Sequence, residues 1–162
     1  MLADRLFEQN VDRIRKYETH LPVYSLRAAA TRFGESMPDD MDEEPERWIR
    51  VRPGLRLNQS MFVAHVVGRS MEPKIPDGSL CVFRRNVVGS RNGRLVLVRN
   101  SELADDNQYT VKRYRSEKTV TEDGFLQTRI RLESLNPAYP SWDLDENEEK
   151  YQVIAEFVQV LE

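Results

Sequence analysis

Val67-Gly68-Arg69-Ser70-Met71-Glu72-Pro73-Lys74-Ile75-Pro76-Asp77-Gly78-Ser79-Leu80 is the stretch whose reading organises the rest of the chain. A β-like apolar run, Met61–Val67, leads into it and a second, Leu80–Arg84, leads out. Gly68 permits a tight backbone where the first run ends, and Ser70 falls on the turn that follows. A strand end is rigid, and a turn exposes a hydroxyl together with neighbouring backbone N–H groups that can stabilise an oxyanion. Ser70 is therefore the candidate nucleophile. Gly68, Arg69 and Met71 are the candidate turn and oxyanion residues, with Met71 and Pro73 shaping the pocket.

A serine hydroxyl needs a base. The chain has 2 histidines, His20 and His65. His65 lies in a β-run and His20 in a hinge, so neither is a good partner by position. A lysine serves if it is neutral, which requires its reference pKa of about 10.4 to fall by several units in a dry site. Lys112 lies in Tyr109-Thr110-Val111-Lys112-Arg113-Tyr114, a run of strong β character. Taken alone, Lys112 reads as a solvated lysine on an amphipathic strand, and strand alternation also allows it to point inward while Arg113 faces the other way.

Further β-like runs are Trp48–Val51, Arg94–Arg99, Gln108–Arg115, Leu126–Glu133 and Val153–Val160, with turn signals at Asp77-Gly78 and Asn92-Gly93. The pattern predicts a mainly β domain over 48–162. Leu2, Leu6, Phe7, Val11, Ile14 and Tyr17 recur at helical spacing and predict one amphipathic helix over 2–18, within an N-terminal segment 1–20. One helix is too little for a helix-turn-helix. Residues 21–47 form a connecting segment, extended at first, with Ala28-Ala29-Ala30 also compatible with a short helix. It ends in an acidic stretch, Pro38 to Glu46, with six carboxylates among nine residues, of the kind that is usually a solvated linker.

Composition bounds the function. The net charge of −3 gives no bulk reason to expect nucleic-acid binding, and no aromatic stripe suggests base stacking. The single cysteine, Cys81, reads as a small buried hydrophobe and excludes an internal disulfide, which fits a cytoplasmic setting. Trp48 and Trp142 read as packing residues. No apolar run reaches the ~18 residues of a membrane span. Neither a metal-ligand cluster nor a phosphate-cradling glycine loop is present, so no cofactor or metal is expected.

Gly68-x-Ser70-Met71-x-Pro73-x-Ile75-x-x-Gly78 followed by Thr110-Val111-Lys112-Arg113 resembles the LexA/UmuD group of S24 serine–lysine peptidases. Type I signal peptidases share the Ser-Met and the downstream lysine. Leu135-Asn136-Pro137-Ala138-Tyr139-Pro140 is similar to an Asn-containing loop of that family. The resemblance covers roughly 48–160 plus 21–30. It implies a LexA/signal-peptidase-like β fold, Ser70 as nucleophile, Lys112 as general base, and a homodimer. It also implies one self-cleavage upstream of the domain. Leu21 to Ala30 resembles the family's cleavage region and places the bond at Ala29-Ala30, or at Ala30-Thr31. Two departures stand out: no glycine follows the candidate alanine, and a polar insertion near Ser101–Asn107 lengthens the gap from Ser70 to Lys112. The implied role is a self-processing switch in an SOS-like stress response, UmuD-like, with a recombinase filament, polymerase or helicase as partner. The alternatives are a non-cleaving interaction module of a larger stress or phage-defence protein and, more weakly, a signal-peptidase-like enzyme acting on other proteins.

Overall fold

A computed structural model describes residues 13–33, 44–85, 90–102, 108–144 and 151–161. Nine strands form one sheet: β1 (His20–Val23), β2 (Arg47–Arg50), β3 (Met61–Val66), β4 (Ser79–Arg84), β5 (Leu95–Asn100), β6 (Tyr109–Val120), β7 (Leu126–Glu133), β8 (Trp142–Leu144) and β9 (Tyr151–Val160). Their order across the sheet is β2-β1-β3-β4-β9-β5-β6-β7-β8. Every pairing is antiparallel except that of β1 with β3. The described helix α1 (Leu26–Phe33) follows β1 directly. The expected mainly β peptidase-type fold is the fold observed.

The central strands are apolar on both faces. In β3, Phe62, Ala64 and Val66 enter one core cluster, while Met61 and Val63 enter another. In β5, Leu95 and Leu97 join the first cluster, and Val96 and Val98 turn to a third with Leu132. Strands covered on both sides read as continuous apolar runs rather than alternating ones, as Met61-Phe62-Val63-Ala64 and Leu95-Val96-Leu97-Val98 do. Aromatic packing ties the strands of the first cluster together. Phe62 stacks on Phe83 at 5.5 Å between ring centroids, and Phe83 meets Phe157 edge-on at 6.2 Å.

Seven of the strands coincide, within a few residues, with runs expected from the sequence. β1 and β8 do not. β1 contains Pro22, which normally argues against a central strand because it brings no N–H to the ladder. Pro22 is accommodated because β1 meets β3 at one register position, Val23↔Val63. β8 has three residues, too few for any periodicity to show.

The segment preceding β2 departs from expectation in two respects. β1 sits inside the sheet, and Ala28 and Ala29 of α1 lie in the first core cluster, so 21–47 is not simply a connector to a domain starting at 48. Of the expected helix over 2–18, residues 1–12 lie outside the described residues, and 13–18 are not helical. Lys16 forms a bridge to His20, and Tyr17 takes a left-handed φ of 63° while donating its N–H to the His20 carbonyl at 2.8 Å. Trp48 explains that local choice. The Tyr17 ring meets it edge-on at 5.2 Å, and the Lys16 ammonium lies 4.9 Å over its face. Most of the acidic stretch, 38–43, lies outside the described residues; Glu46 donates its N–H to the Val23 carbonyl at 2.9 Å. No helix among the described residues is long and apolar enough to cross a membrane.

Phe62 is fully buried between Phe83 and Tyr24. Phe62→Ala is expected to cost about 3–5 kcal/mol, measured as a lowered urea midpoint at unchanged m-value.

Candidate active site

The loop from β3 to β4 is clasped at its base and plugged at its centre. Gly78 donates its N–H to the Val66 carbonyl at 2.8 Å, and Gly68 donates to Asp77 Oδ1 at 2.7 Å. Gly68 has φ 113°, a conformation closed to most L side chains, so glycine is required where the strand breaks into the turn. Within the loop the Arg69 carbonyl accepts from Glu72 N–H at 3.1 Å, and the Met71 carbonyl from Ile75 N–H at 3.0 Å. Met71 and Ile75, 2% and 0% exposed, anchor this one-turn coil in the first core cluster and leave Ser70, between strand and plug, partly open to solvent.

Lys112 comes to the same place from β6. It is paired with Val96, so its side chain projects on the face of the sheet opposite to Val111 and Arg113. Its Nζ lies 2.8 Å from Ser70 Oγ and donates to Thr110 Oγ1 at 3.2 Å. The Trp142 ring covers it at 5.1 Å to the centroid. Lys112 is 3% exposed, and burial pulls its pKa down to about 8. Loss of water around the amine disfavours the ammonium, and the Trp142 π face opposes that in part. The outcome is an amine that is neutral in a substantial fraction near physiological pH and within hydrogen-bond reach of a hydroxyl. Such a pair can move a proton from oxygen to nitrogen.

A third segment completes the arrangement. Asn136, in the loop between β7 and β8, donates its backbone N–H to the Ser70 carbonyl at 2.9 Å and its Nδ2 to the Arg69 carbonyl at 3.0 Å. Its Oδ1 accepts from Ala138 N–H at 3.0 Å. The loop is closed on itself by Ser134, whose Oγ donates to the Pro140 carbonyl at 2.9 Å and whose N–H donates to Ser141 Oγ at 3.1 Å.

The structure thus brings Ser70, Met71 and Lys112 together and adds Asn136, Thr110 and Trp142, none of which the sequence reading placed at the site in a working role. Thr110 could have been found from alternation, since it lies two residues from Lys112 on the same face. Trp142, expected to pack, does so against the amine itself. Gly68 lies where the strand breaks into the turn, and its N–H is taken by Asp77 and is not free to meet an oxyanion. Arg69 contributes its carbonyl to the turn, while its side chain is exposed beside Glu72 at 3.6 Å. Neither histidine reaches Ser70. His65 Nδ1 sits 3.3 Å from the Gly78 carbonyl, and His20 Nδ1 sits 2.7 Å from Thr19 Oγ1, its pKa lowered by burial and by Arg50. Cys81 is buried and its thiol is pushed up to about 12 by burial, which leaves it unreactive. The candidate cleavage bond, Ala29-Ala30, lies inside α1 rather than in extended chain, because Ser25 caps the helix by accepting Ala28 N–H at 3.1 Å and the alanines favour helix. Ala29 is fully buried.

Lys112 links stability to pH. The unfolded chain holds the lysine proton up to about 10.5 and the folded chain only to about 8, so between these values the unfolded state binds more protons and wild-type stability rises with pH. Lys112→Met is therefore expected to melt above wild type near neutral pH, with the margin shrinking from about pH 8 to 10.5, followed by calorimetry across that range.

A family model described as peptidase S24-like matches residues 22–158. No curated protein matches the chain. The matched span begins within β1 and ends within β9, and so takes in the whole clasped loop, the β6 lysine and the Asn136 loop. This chain belongs to the S24-like family of serine peptidases.

Proposed function

We propose that the chain is a serine endopeptidase in which Ser70 is the nucleophile and Lys112 the general base. The observation that carries this reading is the 2.8 Å approach of a buried, pKa-depressed amine to the Ser70 hydroxyl. Neutral Lys112 takes the hydroxyl proton as Oγ attacks the peptide carbonyl. The resulting ammonium then protonates the leaving amine, and a water activated by the regenerated amine hydrolyses the acyl-enzyme. Thr110 holds Nζ toward Ser70 through the whole cycle. The N–H groups of Ser70 and Met71 stabilise the oxyanion; among the described residues neither has an acceptor.

An extended peptide has a place to dock. The Val66 carbonyl points to β4, accepting from Gly78, and the Val63 carbonyl points to the other side, accepting from Tyr24 N–H at 2.9 Å. By alternation the His65 and Val67 peptide groups share that second side, which β1 has left by turning into α1. A strand added there runs to Ser70.

In the self-processing form of this reading the substrate is the chain's own Ala29-Ala30 bond, and release of the upstream arm acts as a switch in a stress response of the UmuD type. α1 must then unfold before the bond can be extended in the site. The burial of Ala29 in α1 favours a second reading, in which the folded chain does not cut itself and acts on other chains or serves as an interaction module.

Intact mass followed over time at about pH 7, 8.5 and 10 separates these readings. Self-processing predicts a split after Ala29 or Ala30 that quickens with pH and disappears in Ser70→Ala and Lys112→Ala. Ser25→Ala, which removes the α1 cap at a cost of about 1 kcal/mol, should speed the split by ~5-fold because helix opening comes first. Wild type that stays whole at every pH, and in Ser25→Ala, excludes unaided self-cleavage.

A further inference from the structure

We infer that Asn136 is a positioning residue that aims the oxyanion-stabilising N–H groups of Ser70 and Met71 by holding the carbonyls on the far side of the same two peptide units. The inference deepens the peptidase reading and rests on it.

The argument begins with Pro73. A turn closed three residues on, as Arg69 is closed by Glu72, would give the Ser70 carbonyl the N–H of residue 73, and proline has none. The carbonyl is therefore left for another donor, and Asn136 N–H supplies it at 2.9 Å. The carbonyl before it, on Arg69, accepts from Glu72 N–H within the turn and from Asn136 Nδ2 at 3.0 Å. One residue from a distant loop thus grips two consecutive carbonyls.

Peptide units are planar, and in the trans form the C=O and N–H of one unit point in opposite directions. The Arg69 carbonyl shares its unit with Ser70 N–H, and the Ser70 carbonyl shares its unit with Met71 N–H. Drawing both carbonyls toward Asn136 directs both N–H groups away from it, on the side where an attacked carbonyl oxygen would lie. Asn136 is itself held. Its Oδ1 accepts Ala138 N–H, which leaves Nδ2 as the outward donor, and Leu135 packs against the first core cluster. The same loop runs on to Trp142, over Lys112, so one segment of chain braces both halves of the site.

The test is the rate at which a fluorophosphonate probe labels the full chain, with the modified residue located by mass spectrometry. Labelling forms a bond from Ser70 Oγ to phosphorus, breaks the phosphorus–fluorine bond, releases fluoride and passes the hydroxyl proton to Lys112. In the pentacoordinate transition state the phosphoryl oxygen gains negative charge and occupies the oxyanion position. Asn136→Ala and Asn136→Asp both remove the Nδ2 donor, and the aspartate keeps an acceptor for Ala138, so it carries the test if the alanine variant does not fold. Both are expected to label about 100-fold more slowly than wild type, the loss typical of a ~1 Å misplacement. The midpoint of the pH–rate curve stays unchanged in Asn136→Ala, whereas the new carboxylate of Asn136→Asp raises it. Ser134→Ala, which loosens the loop but leaves both Asn136 donors in place, should slow labelling far less than the Asn136 variants do.

Wild-type labelling at Ser70 with no slowing in the Asn136 variants overturns the role of Asn136 and leaves the peptidase reading standing. Equal slowing in Ser134→Ala, or a shifted pH midpoint in Asn136→Ala, overturns it as well, since loop rigidity or Lys112 would then be the cause. Failure of wild type to label at Ser70 at any pH overturns the peptidase reading and this inference together.

Discussion

The rest of the site depends on one constraint, the burial of an amine. A lysine in water is an ammonium and useless as a base near neutral pH. Lys112 escapes that by lying 3% exposed behind Trp142, with Ser70 and Thr110 as its polar neighbours. Those neighbours suit a neutral amine, whose lone pair can accept from the Ser70 hydroxyl while its N–H groups face Thr110 and the indole. Burial of this kind lowers stability wherever the ammonium must be held, and the surrounding sheet makes it tolerable. β5 and β6 are held in register by Val96↔Lys112 and its neighbours, and Val96, Val98 and Leu132 fill the face on which the lysine lies.

Two-sided burial of the sheet links packing to chemistry. One face carries the cluster into which Met71 and Ile75 plug, and this fixes the loop bearing Ser70. The other face carries Lys112. The hydroxyl and the amine meet where the loop from β3 comes round to β6, strands separated in the sheet by β4, β9 and β5. Both are fixed by apolar contacts outside the polar site, so the polar groups need not hold the geometry by themselves. The Asn136 loop adds a third point of support from the far edge of the sheet, between β7 and β8.

α1 bears on what the site can act on. Its alanines are small enough for a narrow peptidase cleft and are also good helix formers, and in this fold the second property prevails. Ser25 caps the helix, and burial of Ala28 and Ala29 against the core holds it. A short capped helix is a low-stability element of the kind that opens locally before the rest of a fold. The candidate bond is thus stored in a conformation that a peptidase cannot cut.

Much of this was legible in the residues themselves. Runs of Val, Ile, Phe and Tyr between turn residues marked seven strands, since β-branched and aromatic side chains suit a pleated, buried surface wherever it lies. Gly68-Arg69-Ser70 at a strand end was a candidate from local chemistry, because turn geometry is a local property. Lys112 in mid-strand was singled out by the family resemblance, since alternation alone left it equally a solvated strand residue. β1, with its proline, and the three-residue β8 were not legible, because neither carries a periodic pattern; they exist through their partners. The left-handed turn at Tyr17 likewise depends on Trp48, and the grip of Asn136 on Ser70 joins residues whose separation in sequence gives no hint of contact. The sequence by itself determined which groups could react and which runs could pair. Only the tertiary structure decided how dry Lys112 is, which N–H groups are open beside Ser70, and whether Ala29 is extended or helical, because each depends on what the distant parts of the chain exclude, donate or cover.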